Sequence, residues 1–146
     1  MHIEFLNPVD VEKEGQACSN SGVFMMSLYE LQILNSYKNK TYANGQAGCI
    51  YKQNPPLVNA SRRPGEWQMY DIVFTTPKFN KDGSLKSPAY VTAFHNGVLI
   101  QNHFELTGPT LFIGKPSYFQ HPEKMPLRLQ DHGDLVRYRN IWIREL

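Results

Sequence analysis

Short runs rich in Val, Ile, Phe, Tyr and Thr recur along the chain between clusters of Gly, Pro and Asn, and no helical apolar period lasts beyond about two turns. That pattern predicts an all-β chain. The sharpest local signal is AYVTAFHNGVLIQNHFEL, where Asn96-Gly97 is the dipeptide that best accepts positive φ at both centres of a type I′ turn. A two-residue turn sets the pairing. His95 then faces Val98, Phe94 faces Leu99, Ala93 faces Ile100, Thr92 faces Gln101, Val91 faces Asn102 and Tyr90 faces His103. One sheet face carries Val91, Ala93, Val98 and Ile100, a core set. The other carries Tyr90, Thr92, Gln101 and His103, a polar face with interleaved rings that suits a sugar, because rings stack on its C–H face and amides take its hydroxyls.

Tyr29 to Ser36 divides in the same way, with Tyr29, Leu31 and Ile33 predicted to pack inward and Glu30, Gln32 and Leu34 on the opposite phase. Glu66 to Thr76 is apolar or aromatic on both phases, Trp67, Met69 and Val73 against Tyr70, Ile72 and Phe74, as for a central strand covered on both sides. Asp82-Gly83 marks a turn, and Pro109 to Pro126, with four prolines, reads as a loop or lid. These strands imply an antiparallel jelly-roll sandwich, whose sheets bury one face each and whose outer polar phases would line a groove.

The chain of 146 residues is long enough for one domain with its own core, and a single domain over residues 1–146 is expected. Charged residues make up 19% and the net charge is +2, scattered without a basic stripe, which argues against nucleic acid as a partner. No stretch approaches the ~20 apolar residues of a membrane helix, and no signal-peptide pattern opens the chain, so membrane insertion is not expected. Cys18 and Cys49 lack the spacing of a zinc site and read as buried free thiols, although two cysteines can bridge in an oxidising compartment.

Several motifs in one order carry a family resemblance: HIEF at the start, Asn20 to Phe24 (NSGVF), Tyr29 to Ser36 (YELQILNS), and Gly45 to Ile72 with its core PPLVNASRRPGEW. His95 to His103 (HNGVLIQNH), Glu105 to Thr110 (ELTGPT) and the closing LQDHGDLVRYRNIWIREL complete the set. With these the chain resembles the bacterial 3-keto-disaccharide hydrolase domain family, formerly a domain of unknown function. The resemblance implies a concanavalin A-like sandwich, related in shape to laminin-G domains. It also implies a periplasmic or extracellular setting. Relative to the family pattern the chain starts late, at a strand already inside the domain, and the expectation is that N-terminal strands are lacking.

The resemblance further implies an oxidised disaccharide or glycoside as substrate. A ketone at C3 acidifies the C2 hydrogen, so the glycosidic bond can leave by elimination and water can add later. Such chemistry needs a base near C2, a group that holds the enolate oxygen and an acid for the leaving oxygen, rather than two carboxylates about the anomeric carbon.

Glu30 is the first candidate for base or acid, being a carboxylate in mid-strand on the phase of Gln32; a solvated charge or an ion-pair partner is the plainer reading. His132, in Gln130-Asp131-His132-Gly133, is the second, since histidine ordinarily titrates near neutrality; a turn histidine closing a hairpin is its alternative. Lys52, beside Tyr51, is the third, suited to an enolate or a hydroxyl, and Arg137 is placed similarly; either can instead be solvated or ion-paired. Sugar contacts are assigned to Gln32, Gln46, Tyr51, Trp67, Gln101, His103, Gln130 and Arg137. Trp67 can equally be core, and His103 a hydrogen-bonded sheet histidine. No motif identifies a metal or cofactor, while loop oxygens in such sandwiches can take calcium and a divalent ion could serve the enolate. A glycoside-cleaving enzyme is the leading expectation, a non-catalytic carbohydrate-binding module of the same fold is its rival, and a laminin-G-like interaction domain would require an exposed apolar patch.

Overall fold

The structure is a computed structural model and describes residues 1–9 and 12–145. Among the described residues ten strands follow in chain order: β1 His2–Leu6, β2 Ser21–Met25, β3 Tyr29–Ile33, β4 Gln68–Thr75 and β5 Lys78–Phe79, then β6 Leu85–Ser87, β7 Tyr90–His95, β8 Val98–Glu105, β9 Arg128–Leu129 and β10 Arg137–Trp142. One sheet has the order β10-β1-β4-β7-β8, a second the order β3-β2-β9, and β5 and β6 form a separate hairpin. Every pairing is antiparallel. Among the described residues no helix is long and apolar enough to cross a membrane.

The expected all-β sandwich is present, and alternation explains it. Ile3 and Phe5 of β1, Tyr70 and Ile72 of β4, Val91 and Ala93 of β7 and Ile100 of β8 project from the five-stranded sheet. Val23, Met25, Tyr29, Leu31 and Ile33 meet them from the three-stranded one, and all belong to one buried cluster. Each such side chain contributes roughly 1.5–3 kcal/mol on leaving water. Cys18 and Cys49 are buried free thiols, and the segment from Pro109 to Pro126 contains no regular element.

Three expectations need correction. The turn at Asn96-Gly97 has φ values of 53° and 81°, and His95 does face Val98, but the register slips at two bulges. Ala93 therefore pairs with Gln101, Val91 with Phe104 and Tyr90 with Glu105. His103 absorbs part of the slip with a left-handed φ of 46°. As a result Gln101 turns inward beside Ile100, both fully buried, while Val98, assigned to the core, is 45% exposed. Second, β4 is central but not covered on both sides: Tyr70 and Ile72 are buried and Val73 is 45% exposed. Third, the two polar phases do not line one groove. Tyr90, Thr92 and His103 lie on the outer face of the five-stranded sheet, whereas Glu30 and Gln32 lie beyond the core on the outer face of the three-stranded sheet.

His95 occupies the core between Phe5 and Tyr70, with ring centroids at 5.8 and 4.8 Å, and its Nε2–H donates to Gln68 Oε1 at 2.9 Å. Its Nδ1 is buried without a partner, so the ring has nowhere to put a second proton. Burial, helped by the charge of Arg62, pulls its pKa down to about 3 from 6.5. An unfolded His95 takes up a proton below about pH 6.5 and the folded one does not, so its stabilising effect is complete above that pH and is lost toward pH 3, at about 1.4 kcal/mol per pH unit. Urea midpoints measured from pH 7 to pH 4 should fall less steeply for His95→Gln than for the native chain; equal slopes would remove His95 from the acid response.

Candidate functional site

The β2–β3 hairpin builds the site from alternation alone. Because Val23, Leu31 and Ile33 face the core, Gly22, Phe24, Glu30 and Gln32 must face the other way. Strand β9 extends this outer face: Leu129 packs on the core, so Arg128 and Gln130 point outward. Two cross-strand rows result. Glu30, Phe24 and Arg128 form one, with Phe24 paired to both of the others. Gln32, Gly22 and Gln130 form the next, Gln32 paired with Gly22 and the Gln130 N–H donating to the Gly22 carbonyl at 2.9 Å.

Gly22 matters because its missing side chain is where the Glu30 carboxyl lies. A Cβ there would fall inside contact distance of Glu30 Oε1, and within 2.9 Å of the Phe24 ring edge. Glu30 is only 4% exposed. With its amide nitrogen oriented toward the carboxyl, Gln32 donates to Glu30 Oε1 at 3.0 Å and to the Ser21 carbonyl at 3.1 Å. Burial pushes the Glu30 pKa up to about 8, and the Arg128 guanidinium pulls in the opposite direction. That guanidinium lies over the Phe24 ring, its carbon 4.2 Å from the centroid. Gln16 and Asn20 stand beside Gln32, and Gln16 Nε2 donates to Thr41 Oγ1 at 3.0 Å and the Gly45 carbonyl at 2.8 Å. The Gln130 Oε1 atom is buried without a protein partner.

The free edge of β3 is covered by the segment after Gly45. Gln32 N donates to Cys49 O at 3.0 Å, Gly48 N to Gln32 O at 2.9 Å and Tyr51 N to Glu30 O at 3.3 Å. Glu30 N donates to Thr110 Oγ1 at 3.0 Å. Tyr51 thus lies next to Glu30, its hydroxyl 2.7 Å from that of Tyr42, and burial, the Tyr42 bond and the Glu30 charge raise its pKa. Lys52 has a left-handed φ of 62°, a strained backbone for a non-glycine residue, and its Nζ lies 3.8 Å from the Tyr42 ring centroid. The ammonium faces rings, and the charge acting on Glu30 is that of Arg128.

Of the residues singled out in the sequence, Glu30, Gln32, Gln130 and Tyr51 come together here. Lys52 lies alongside. Gln46 closes the adjoining loop, its Nε2 donating to Asn39 O at 3.4 Å. His132 stands at the rim, half-exposed, with Nδ1 4.0 Å from Asp134, which in turn accepts from Asn20 N at 3.1 Å and pairs with Lys13. The remaining four fall elsewhere. Gln101 spends its amide on the Gly48 and Pro55 carbonyls and on Asn54, at 2.9, 3.2 and 2.9 Å. His103 stacks on Tyr90 with centroids 4.4 Å apart. Trp67 lies under Arg139, 3.9 Å away, and Arg139 pairs with Glu4 at 2.6 Å. Arg137 shares the phase of Arg139 on β10. Sequence reasoning missed Gly22, Phe24 and Arg128. A glycine in the middle of a strand was the available sign.

Among the described residues no three His, Cys, Asp or Glu cluster in a way that could hold a metal ion. Two cavities lie away from Glu30. One, about 390 Å³, is bordered by Lys13, Asn35, Tyr37, Lys40 and Pro64; the other, about 210 Å³, by Met1, Ile72, Phe94 and Trp142. Solvation chemistry points to the Glu30 face instead, since neither cavity holds a comparably buried carboxyl.

Fold and site together define a concanavalin A-like β-sandwich with a polar, one-carboxyl face on its smaller sheet. The chain belongs to the 3-keto-alpha-glucoside-1,2-lyase-like domain family, whose model matches residues 1–144. It is similar to a crystal structure from Parabacteroides distasonis ATCC 8503, of a protein provisionally assigned as a glycosyl hydrolase, with a TM-score of 0.95 and 49% identity over 99% of this chain and 62% of that one. The chain therefore spans 62% of that relative's length. A second crystal structure from the same organism, with the same provisional assignment, matches at a TM-score of 0.58 and 21% identity, over 99% of this chain and 76% of the other, and bears on fold alone. No curated protein matches the chain.

Glu30 makes the site a source of instability. A carboxyl whose pKa is raised by folding holds its proton more tightly folded than unfolded, so ionisation costs stability from about pH 4.5 upward and the cost levels off near pH 8. Glu30→Gln should therefore raise unfolding free energy by an amount that is absent at pH 4 and on the order of 3 kcal/mol at pH 7. Thermal melts across that range check it, and a gain independent of pH would contradict the assignment.

Proposed function

We propose that the chain cleaves the glycosidic bond of 3-keto-glycosides by proton abstraction at C2, elimination and hydration. The Glu30 carboxylate takes the C2 hydrogen, and the C–H electron pair moves into the C3 carbonyl to give an enolate. Arg128 balances the oxygen's charge. The enolate then collapses, expelling the C1 oxygen of the leaving group and forming a C1=C2 double bond. Glu30, now carrying the proton, returns it to the departing oxygen. Water adds across the double bond, hydroxyl to C1 and hydrogen to C2, and the net change is hydrolysis. Gln32 and Gln130 would hold hydroxyls.

The observation that carries this reading is that the two rows hold one carboxyl, together with a guanidinium. A direct glycosidase would need a second carboxyl roughly 5–9.5 Å from the first. A ketone-activated substrate needs one base and one cation instead. The pKa of about 8 suits the task, because a carboxylate held that high is a stronger base than an ordinary one. Family membership and the provisional glycosyl hydrolase assignment of the 49%-identical relative support a glycoside as substrate.

Turnover of a chromogenic 3-keto-glucoside tests this directly. Glu30→Gln should reduce kcat by ~10²- to 10⁴-fold with KM little changed, and Arg128→Met by ~10²- to 10³-fold. Because the working form is the carboxylate, kcat/KM should climb with pH up to about 8 and then level. Saturable binding with no release of aglycone would instead support a carbohydrate-binding module.

A further inference from the structure

The irregular segment that follows β8 is rooted at the Glu30 site and ends in an apolar tip. Thr110 N donates to Leu28 O at 2.9 Å, and Thr110 Oγ1 accepts from Glu30 N at 3.0 Å. Gln53, one residue past Lys52, fastens the same root: its Nε2 donates to Gly108 O at 3.0 Å and its Oε1 accepts from Thr107 N at 2.9 Å. Beyond this root the chain leaves Leu111, Phe112 and Ile113 exposed at 43%, 71% and 82%. Three successive apolar side chains in water have an energetic cost that surface residues usually avoid.

The tip does not stand alone. The Phe112 ring centroid is 5.6 Å from Lys52 Nζ, which lies 3.8 Å from the ring centroid of Tyr42, itself 36% exposed. Two exposed aromatic side chains thus flank one ammonium, next to the polar rows. The rows suit hydroxyls and a ketone. The rings suit something flat and apolar attached to them. Three residues are far too few for a stable protein interface, which takes roughly 800 Å² from each partner.

We propose that the Leu111–Phe112–Ile113 tip is the aglycone subsite of the Glu30 site and selects glycosides whose leaving group is an aryl ring. This rests on the reading of Glu30 as the sugar-cleaving base. A sugar with C2 at Glu30 would have its C1 substituent within reach of this tip, because Thr110, at the tip's root, bonds to Glu30 N and Phe112 lies beside Lys52, next to Tyr51 on the Glu30 edge. An aryl leaving group also departs more readily as an anion, which lowers the demand for an acid at the departing oxygen.

The experiment compares phenyl and methyl 3-keto-glucosides as substrates, and separately the binding of ordinary phenyl and methyl glucosides by calorimetry, for the native chain and Phe112→Ala. The native chain should favour phenyl in kcat/KM, and Phe112→Ala should lower that phenyl-to-methyl ratio by about tenfold, the ordinary value of one ring stack, mainly through KM. A general disturbance of the fold would lower both substrates together and leave the ratio intact, which would overturn the proposal. So would the absence of any phenyl preference in the native chain. If no 3-keto-glycoside is turned over, yet phenyl glucoside binds more tightly than methyl glucoside in a Phe112-dependent way, the subsite stands and the cleavage reading falls.

Discussion

Strand β3 must be buried on both of its faces, and the rest of the molecule is arranged around that requirement. Tyr29, Leu31 and Ile33 face the core, and each contributes roughly 1.5–3 kcal/mol by leaving water. Alternation then commits Glu30 and Gln32 to the far side, where β2, β9 and the segment from Gly48 to Asn54 enclose them. Core packing thereby fixes the position of a carboxyl that would be better solvated elsewhere. The strained or unsupported features collect around it: the bare strand position at Gly22, the left-handed Lys52 and the unpartnered Gln130 oxygen. The carboxyl is thus held in place at the expense of local stability.

The sandwich was legible because period-2 alternation in β3 and β7 is a local property, readable from a handful of neighbours. Glu30 and Gln32 were legible for the same reason. Asn96-Gly97 announced its turn by chemistry, whereas the β2–β3 turn did not: Met26 and Ser27 take left-handed φ values of 52° and 58° with no glycine between them. That turn is held by tertiary contacts instead, Met26 in the core and Ser27 Oγ donating to Pro126 O at 2.8 Å.

What the sequence did not disclose was strand register and placement at long range. Two bulges between β7 and β8 moved Gln101 from a surface to the interior, and no residue type in that hairpin signals a bulge. Arg128 escaped notice because β9 is two residues long and finds β2 only after an irregular stretch. Trp67 had the right chemistry for a sugar platform, but strand order put it on the opposite side of the core, against Arg139. The family resemblance, by contrast, rested on motif order along the chain, and the match over residues 1–144 needs no knowledge of register.

Gln101 has a further consequence for how this architecture can be altered. Its amide clamps the Gly48 and Pro55 carbonyls, so the loop that carries Tyr51 and Lys52 to the small sheet is anchored on an edge strand of the large one. The two layers are therefore not interchangeable modules. Anyone transplanting that loop into a related scaffold must carry the glutamine at position 101, together with the bulge that turns it inward, or the graft will lose its foothold on the opposite layer.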